Sequence, residues 1–508
     1  MNIRTSQRSG GRAARLAKRK SETPEINPAP PGQRGGQYKP LSQSGIREIY
    51  RTALRLLEEL GMGESPEKLI GACLSRGAFL NERGRLCFPG ALVEDIIADA
   101  PKTVALHGRD PGRSFEIGGD RVYFGTGGAA VRTLDIDTGL YRPSTMRDLH
   151  DFTRLQDRLE NIAWFTRCCI ATDIPDNYDL DVNTAYALAR GTTKPVATAF
   201  FIADHVAPVV RLFDIADGGE GRFSRRPWCV AHISPIISPF RYGEDAVDVV
   251  FECIRHNIPV NCITGAQSGA TGPAAPASFL AASLAETLAS LLMVNCVRPG
   301  YPMIFSNWPF VVDLRSGAFC GGGAETAVMN AASAQLSNWL GLPSGVACSM
   351  SDAKAVDCQM GMEKGITALA AGLAGGNVIY ESCGMSSALL GVSFEAFVLD
   401  NEMLASVYRI IRGIEVDGDS LGFDEICGSV LGQGHFLGSD QTMRSMQRDF
   451  VYPRLADRDS PDAWADKGAP DIRSVAREKA REILSSHFPD YLGSMADRKI
   501  RDEFKILE

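Results

Sequence analysis

Short apolar runs alternate with longer segments of helical spacing throughout the middle of this 508-residue chain. The apolar runs span residues 121–125, 162–169, 195–201, 228–233, 259–264, 303–307, 345–349 and 377–382, and the helical segments span residues 145–159, 180–190, 205–216, 243–256, 276–297, 325–340, 356–374 and 394–412. Strict alternation of this kind is typical of α/β folds with a parallel sheet. Eight units over roughly 290 residues fit a (β/α)8 TIM barrel better than an open doubly wound sheet.

Three further regions surround this predicted barrel, which we place at residues 119–412. Residues 1–38 are rich in Arg, Gly, Pro and Ser, and the first twenty carry seven basic residues and no acid, which predicts a disordered basic tail. Residues 39–118 show helical periodicity and predict an N-terminal helical subdomain. The alternation stops after residue 412, so residues 413–508 are predicted to form a C-terminal cap whose 432–442 loop bends back towards the barrel mouth.

The composition is that of an ordinary globular protein, with 44% hydrophobic and 22% charged residues. The formal net charge of −8 argues against a nucleic-acid-binding surface along the whole chain. No run of about 18 apolar residues is present, and the basic N-terminus lacks the apolar core of a secretory signal. Thirteen cysteines occur without a CxxC pair and mostly inside apolar runs, which is typical of reduced thiols. We therefore expect a cytoplasmic protein with no membrane or nucleic-acid partner.

The loops after the predicted strands carry a conspicuous set of aromatic and acidic residues. Such loops, at the carboxyl ends of parallel strands, are where α/β proteins place their functional residues. The aromatic residues at or just beyond these ends are Phe124, Trp164, Phe200, Phe201, Trp308, Phe310 and Tyr380, and the acids are Asp313, Asp352 and Glu381. Ring faces and carboxylates hold a quaternary ammonium well, because that cation has no N–H group to donate. The plainer alternative is an aromatic rim without a ligand preference.

Two of the seven histidines also stand at positions of interest. His232 ends an apolar run at the same edge, where a core histidine and a site residue are equally well supported. His435 lies in a glycine-rich loop, which favours a site residue over a core residue. No two histidines have the spacing of metal ligands, so no metal site is predicted.

Two glycine-rich stretches offer alternative interpretations. Residues 125–130 fit a weak G-x-G-x-x-A motif, which would indicate an NAD-dependent dehydrogenase. That motif requires a helix directly after it, whereas a hairpin around residues 137–139 is predicted here. The three glycines at 321–323 form either an anion-binding nest or, more simply, a loop or helix cap.

Several separated blocks of the sequence resemble one known family. The blocks are SNWPFVVDLRSGAFCGGGAE at 306–325, GVACSMSDAKAVDCQMGMEKG at 345–365, VIYESCGM at 378–385 and SFEAFVLDNEML at 393–404. They resemble the trimethylamine methyltransferase (MttB-type) superfamily, and the likeness runs from about residue 38 to the end of the chain. The resemblance implies a (β/α)8 barrel and the transfer of a methyl group from an amine to the cobalt(I) of a corrinoid.

The chain departs from the archaeal trimethylamine enzymes of this family in one respect. Those enzymes carry pyrrolysine, near the block that matches residues 349–357, whereas this chain has only standard residues. Pyrrolysine takes up the free amine, and members without it are similar to the glycine betaine methyltransferases. We therefore expect glycine betaine or a related betaine as substrate. The alternatives are trimethylamine itself and a non-catalytic protein that only binds a quaternary ammonium.

The cobalt is expected on another protein. The chain lacks the D-x-H-x-x-G signature by which corrinoid proteins ligate cobalt, since the nearest text, at 148–153, has no glycine in place. The resemblance thus implies that no cofactor is bound directly and that cobalamin arrives on a corrinoid protein that docks over the barrel mouth. A homo-oligomer is also compatible with the sequence.

Position and resemblance together give the candidate site residues. We predict catalytic roles for Asp313, Glu381 and His435, and substrate binding by Trp308, Phe310, Arg315, Asp352, Lys354, Tyr380 and His232. Trp308 and Phe310 would form the cage around the cation, and Asp313 or Glu381 would supply the counter-charge. Arg315, Lys354 or His435 would bind the carboxylate of the substrate.

Overall fold

The structure, a computed structural model, describes residues 27–507. Most of the predicted disordered tail, residues 1–26, lies outside the described residues. For residues 27–38 the prediction is wrong, because strand Gln33–Arg34 pairs antiparallel with residues 121–122. The glycines that indicated disorder allow this segment to pack closely against the C-terminal end of the helix that contains Gly372. Gly36 N donates to Leu373 O at 2.8 Å, and a Cβ at Gly35 would overlap the carbonyl oxygen of Gly372.

Eight parallel strands form the centre of the molecule. They are β1 (Arg121–Phe124), β2 (Phe165–Thr166), β3 (Val196–Thr198), β4 (Cys229–Ile233), β5 (Val260–Thr264), β6 (Met303–Asn307), β7 (Ser344–Ala347) and β8 (Val378–Tyr380). Strand Gln33–Arg34 adds a ninth at the edge, and the order from it is β1-β8-β7-β6-β5-β4-β3-β2. The two ends of this order meet, since Gly125 forms a parallel bridge with Trp164. The sheet is therefore strongly curled.

A long helix follows each strand, so the predicted α/β alternation is confirmed. The helices are α1 (Met146–Asp157), α2 (Asn177–Gly191), α3 (Val206–Ala216), α4 (Glu244–Arg255), α5 (Pro276–Val297), α6 (Ala324–Leu340), α7 (Cys358–Ala374) and α8 (Phe394–Arg412). All residues of β5 and β6 are buried, which is the pattern of strands covered on both faces.

Helix α5 is long and apolar enough by composition to cross a membrane. It instead packs between strands β5 and β6 and the N-terminal helices, with most of its length buried inside the protein. This is the environment of a core helix. The N-terminal region has helices Gln43–Arg55, Glu67–Leu74 and Gly90–Asp99 and the hairpin strands Phe79–Leu80, Leu86–Cys87, Val104–Leu106 and Phe115–Ile117. The domain boundaries at residues 39, 119 and 413 remain predictions.

The loops at the carboxyl ends of the strands fold into small sheets. One sheet has strands Gln267–Ser268, Phe310–Val312 and Phe319–Cys320, and another has Arg132–Leu134, Tyr141–Pro143, Met385–Ser386 and Gly391–Ser393. The hairpin predicted around residues 137–139 is confirmed by the pairing of Arg132–Leu134 with Tyr141–Pro143. These sheets follow β1, β5, β6 and β8 along the chain, so they cover the carboxyl edge of the central sheet.

The C-terminal region is helical. It contains α9 (Gly418–Leu421), α10 (Phe423–Leu431), α11 (Asp440–Arg448), α12 (Pro461–Asp466), α13 (Ile472–Ser486) and α14 (Ser494–Glu503). Helix α13 packs on α8 and α1, and α14 packs on α3.

The prediction that the 432–442 loop bends towards the mouth is wrong. The segment that carries this loop is tied to the C-terminal end of α8, because Arg409 Nε donates to Asp449 O at 2.6 Å. That end of α8 lies at the amino edge of the sheet, where Gln37 Nε2, close to the strand that pairs with the start of β1, donates to Ile411 O at 3.2 Å. The loop therefore lies at the opposite edge from the strand ends.

Replacing Gly35 by alanine tests the close approach of residues 27–38 to α7. We expect Gly35→Ala to lower the free energy of unfolding by about 1–3 kcal/mol, the usual cost of overpacking. Gly71→Ala is the matched control, because a Cβ there meets nothing within 4 Å in helix Glu67–Leu74, and it should stabilise by about 0.5–1 kcal/mol. Urea unfolding followed by tryptophan fluorescence compares the two. Equal midpoints would contradict the packing described here.

Candidate active site

Four aromatic side chains from different strands meet at the carboxyl edge of the sheet, with Trp164 directly before β2 and level with the end of β1. We call Trp164, His232, Trp308 and Tyr380 the ring cluster. Ring centroids are 4.3 Å apart for Trp164 and Tyr380, 4.8 Å for Trp308 and Tyr380, and 5.3–5.4 Å from His232 to Tyr380 and Trp308. Phe310 extends the cluster at 6.1 Å from Trp308. Since these residues belong to different strands, they converge on the inner side of the curled sheet.

Glu381 directly follows Tyr380 and is 1% exposed. Its Oε2 has no hydrogen-bond partner among residues 27–507. Burial raises the pKa of this carboxyl to about 8, with the charge of Lys364 and a backbone hydrogen bond from Gly128 opposing the shift. Glu381 also has a positive φ of 66°, a backbone conformation that is held only where the surroundings require it. The carboxyl that directly follows the ring residue Tyr380 therefore favours its protonated form at neutral pH.

The glycines after β1 leave room for this carboxyl. A Cβ at Gly127 would lie 2.9 Å from Glu381 Oε1, and one at Gly128 would lie 2.8 Å from Oε2. A Cβ at Gly125 would overlap the indole of Trp164. The 125–130 motif therefore has a packing role, and the next helix, α1, begins only at Met146.

Lys364 does not neutralise Glu381, because it forms an ion pair with Asp400. Its Nζ lies 3.0 Å from Asp400 Oδ2 and donates to Ser349 O at 2.7 Å, and both ionic side chains are buried. Asp400 Oδ2 also accepts from Gly384 N at 2.7 Å. Because Lys364 is held by Asp400 and Ser349, the Glu381 carboxyl has no dedicated counter-charge.

Several further polar atoms at the same edge have no partner in the described part of the chain. They are Trp164 Nε1, Thr166 Oγ1, Thr264 Oγ1, Asn307 Oδ1 and Nδ2, and Trp308 Nε1, and all belong to buried residues. More than nine in ten buried polar groups in proteins are hydrogen-bonded. A concentration of exceptions at the ends of β2, β5 and β6 is the pattern of a binding site for a ligand and ordered water.

Arg167 provides a positive charge at this edge. It follows β2, its guanidinium makes no hydrogen bond within residues 27–507, and its Nη1 is buried. Burial lowers its pKa, with Asp181 opposing the shift. The pKa of His232 is lowered to about 3, first by burial and then by the charge of Arg167, so Arg167 lies close to the ring cluster. Asp181 Oδ2 accepts from His205 Nδ1 and Phe201 N, and among residues 27–507 no ion pair within 4 Å joins Arg167 to Asp181.

Half of the predicted site residues come together and half do not. His232, Trp308, Phe310, Tyr380 and Glu381 meet as described above. Asp313 and Arg315 do not join them, because they pair with each other at 2.7 Å in the turn after Phe310–Val312, and the side chain of Arg315 is 90% exposed.

Asp352, Lys354 and His435 also lie away from the rings. Asp352 accepts from Gly321 N at 2.8 Å and Gly322 N at 3.3 Å, so the amides of the possible anion nest at 321–323 bind a side chain of the same protein. Lys354 is exposed and donates to Asp352 O at 2.7 Å. His435 sits between α10 and α11 at the other edge of the sheet. Sequence reasoning missed Arg167, whose only signal is a charge directly after an apolar run.

Comparison with known proteins gives matches over almost the whole chain. A family model described as trimethylamine methyltransferase (MTTB) matches residues 8–505. The glycine betaine methyltransferase of Desulfitobacterium hafniense strain Y51 is 28% identical over 471 residues, which cover 92% of this chain and 97% of the relative. The trimethylamine methyltransferase MttB of Desulfitobacterium hafniense strain DSM 10664 / DCB-2 is 30% identical over 455 residues, covering 89% and 90%. The crystal structure of the Methanosarcina barkeri monomethylamine methyltransferase aligns with a TM-score of 0.46 and 14% identity, over 90% of this chain and 96% of that one.

The titration of Glu381 can be measured directly. Because burial disfavours the ionised form, the carboxyl should keep its proton at pH 6 and lose it with a midpoint near its pKa of about 8. Infrared difference spectra between the wild type and Glu381→Gln should show the C=O band of one protonated carboxyl at pH 6 and none at pH 10. A carboxylate already ionised at pH 6 would contradict the uncompensated environment.

Proposed function

The chain belongs to the trimethylamine methyltransferase family and is a methyltransferase, and from this premise we propose that its substrate is a betaine. In this proposal a quaternary amine with a carboxylate, glycine betaine or a close relative, gives one methyl group to the cobalt(I) of a corrinoid on a separate protein. The observation that carries the proposal is the combination of a ring cluster, an unpaired buried carboxyl at Glu381 and an unpaired guanidinium at Arg167 at one edge of the sheet.

We also infer that the curled sheet is a closed (β/α)8 TIM barrel. Its eight strands are parallel and adjacent throughout the order given above. The bridge between Gly125 and Trp164 and the bond from Ala163 N to Phe124 O at 2.9 Å join β1 to the segment before β2. The carboxyl edge is then the mouth of the barrel, where such folds place their active sites.

The cationic end of a betaine fits the side of the mouth that holds Glu381. A trimethylammonium group is bound by ring faces, at about 0.5–2 kcal/mol for each desolvated contact. A positive charge nearby favours the ionised form of a carboxyl. Binding therefore lowers the pKa of Glu381 from about 8 and releases its proton at neutral pH. The ionised carboxylate then balances the charge of the substrate.

The anionic end of a betaine fits Arg167. A guanidinium binds a carboxylate through two parallel N–H donors, which fixes orientation as well as position. Arg167 has donors free for this purpose, while Arg315 already forks onto Asp313. Trimethylamine has no carboxylate and would leave Arg167 unpaired, so the geometry favours the zwitterionic substrate.

The reaction requires the side chains mainly to position the substrate. The bond between the nitrogen and one methyl carbon breaks, its electron pair stays on the nitrogen, and the methyl carbon bonds to the cobalt. The leaving group is a neutral tertiary amine, so no proton has to be moved. The protein contributes orientation of the methyl group and a site from which water is largely excluded. The trimethylammonium carries three methyl groups, so the rings and the carboxylate can contact two of them while the third faces a corrinoid protein docked on the mouth.

The dehydrogenase alternative loses its support, since the 125–130 glycines pack against Trp164 and Glu381 rather than open a helix. The remaining alternatives are separated by one assay. We expect methylcobalamin to form from reduced cob(I)alamin with glycine betaine or a related betaine, and more slowly or not at all with trimethylamine, as followed by absorbance. Turnover with trimethylamine alone would overturn the betaine proposal. Tight betaine binding without turnover, with free cobalamin and with corrinoid proteins, would indicate the non-catalytic binding protein.

The role of Arg167 is tested by Arg167→Met, which keeps the length of the side chain and removes its charge. We expect kcat/KM for the betaine substrate to fall about 10- to 100-fold, the equivalent of about 1.5–3 kcal/mol for hydrogen bonds to a charged group. Choline, which has the same cation and no carboxylate, should bind wild type and variant alike. Arg315→Met is the matched control and should leave the binding of both betaine and choline unchanged. A variant that keeps its preference for betaine over choline would refute the assignment.

A further inference from the structure

The loops after β7 and β8 are held by a buried ion pair between α7 and α8. Lys364 on α7 and Asp400 on α8 lie 3.0 Å apart, and each residue is at most 4% exposed. Lys364 Nζ also donates to Ser349 O, after β7, at 2.7 Å. Asp400 Oδ2 accepts from Gly384 N, after β8, at the same distance. We propose that these two residues, the positioning pair, set both the position and the charge of Glu381.

The loops that the positioning pair holds contain backbone in the left-handed region. Ser349 has a φ of 67° and Glu381 one of 66°, which a residue with a side chain adopts only where its surroundings require it. Helix α7 binds Ser349 twice, because Thr367 Oγ1 accepts from Ser349 N at 2.9 Å while Lys364 Nζ donates to its carbonyl. The strained backbone after β7 is thus fixed by two side chains of one helix.

Helix α8 fixes the loop after β8 in a similar way. Gly384, three residues after Glu381, donates to Asp400 Oδ2. A Cβ at Gly384 would overlap the ring of Phe397, one turn earlier on α8. Strands β7 and β8 are neighbours in the sheet, so the two loops start side by side. The ion pair joins the two helices that support these loops, so a change in the pair reaches the backbone of Glu381.

The positioning pair also determines the charge that Glu381 experiences. Lys364 is the charged group that favours its ionised form, whereas burial favours the protonated form. Burial raises the pKa values of the Tyr380 phenol and the Cys383 thiol well above their usual range, so both stay uncharged. Burial also raises the pKa of Asp400, opposed first by Lys364, and at 3.0 Å an ionised Asp400 balances part of the lysine's charge. Asp400 therefore helps to keep Glu381 protonated in the empty site.

Two variants that differ only in the charge at Lys364 test the proposal. Asp400→Asn keeps an oxygen that can accept from Gly384 N and leaves the lysine unbalanced. The titration midpoint of Glu381 should then fall from about 8 by about 1–3 pH units. The double variant Lys364→Met/Asp400→Asn removes both charges, so the midpoint should rise above that of the wild type. It contains no unpaired charge at these positions, which favours its folding.

The midpoint is measured on the free protein by infrared difference spectra, in which each form is compared with the same form carrying Glu381→Gln. Lys479→Met, which breaks an exposed ion pair with Glu482 on α13, is the matched control and should leave the midpoint unchanged. A pair that only stabilised the fold would, when lost, admit water to the carboxyl in both variants and lower both midpoints. A midpoint that falls in both variants, or that keeps the wild-type value in either one, overturns the proposal.

Betaine binding separates this inference from the proposed function, on which only this step rests. If Glu381 ionises on binding, the betaine affinity of the wild type should rise about tenfold per pH unit and level off near the midpoint of about 8. Calorimetry should show this levelling at lower pH in Asp400→Asn and at higher pH in the double variant. Infrared midpoints that shift as expected, without any pH dependence of betaine binding, would support the positioning pair and refute Glu381 as the counter-charge.

Discussion

The burial of one carboxyl group without a partner governs the arrangement of this site. Removing a carboxylate from water is costly unless it is paired, and an unpaired group keeps its proton instead. Glu381 is in this condition, because it is buried and Lys364, the cation whose charge reaches it, is held by Asp400. Gly127 and Gly128 provide the space that the carboxyl occupies. The candidate site thus holds an uncharged carboxyl that can become the counter-charge of a bound cation, and the proposed substrate carries such a cation.

The repeating part of the fold could be predicted from the sequence because the spacing of apolar residues identifies the strand and the helix of each βα unit. All eight strands and eight helices occur where the alternation places them, and the bounds of α5 and α8 agree to the residue. The short strands at the mouth, such as Gln267–Ser268 and Phe319–Cys320, contain two residues each and show no period at all. Residues 27–38 were wrongly predicted to be disordered, again because the local sequence does not record a tertiary contact. Glycine indicates a flexible chain in isolation, and only the tertiary structure shows that Gly35 permits contact with α7.

The candidate site could be predicted from the sequence where the place of a residue follows from its strand, and not where its side chain has a local partner. Trp308, Tyr380 and Glu381 come directly after or at the end of apolar runs, and the sheet brings such positions together. Asp313 and Arg315 looked equally suitable, but a turn of five residues lets them satisfy each other. Asp352 was likewise taken by backbone amides. Arg167 could be recognised only from what it lacks, a hydrogen-bond partner within the described residues, and no sequence pattern records that.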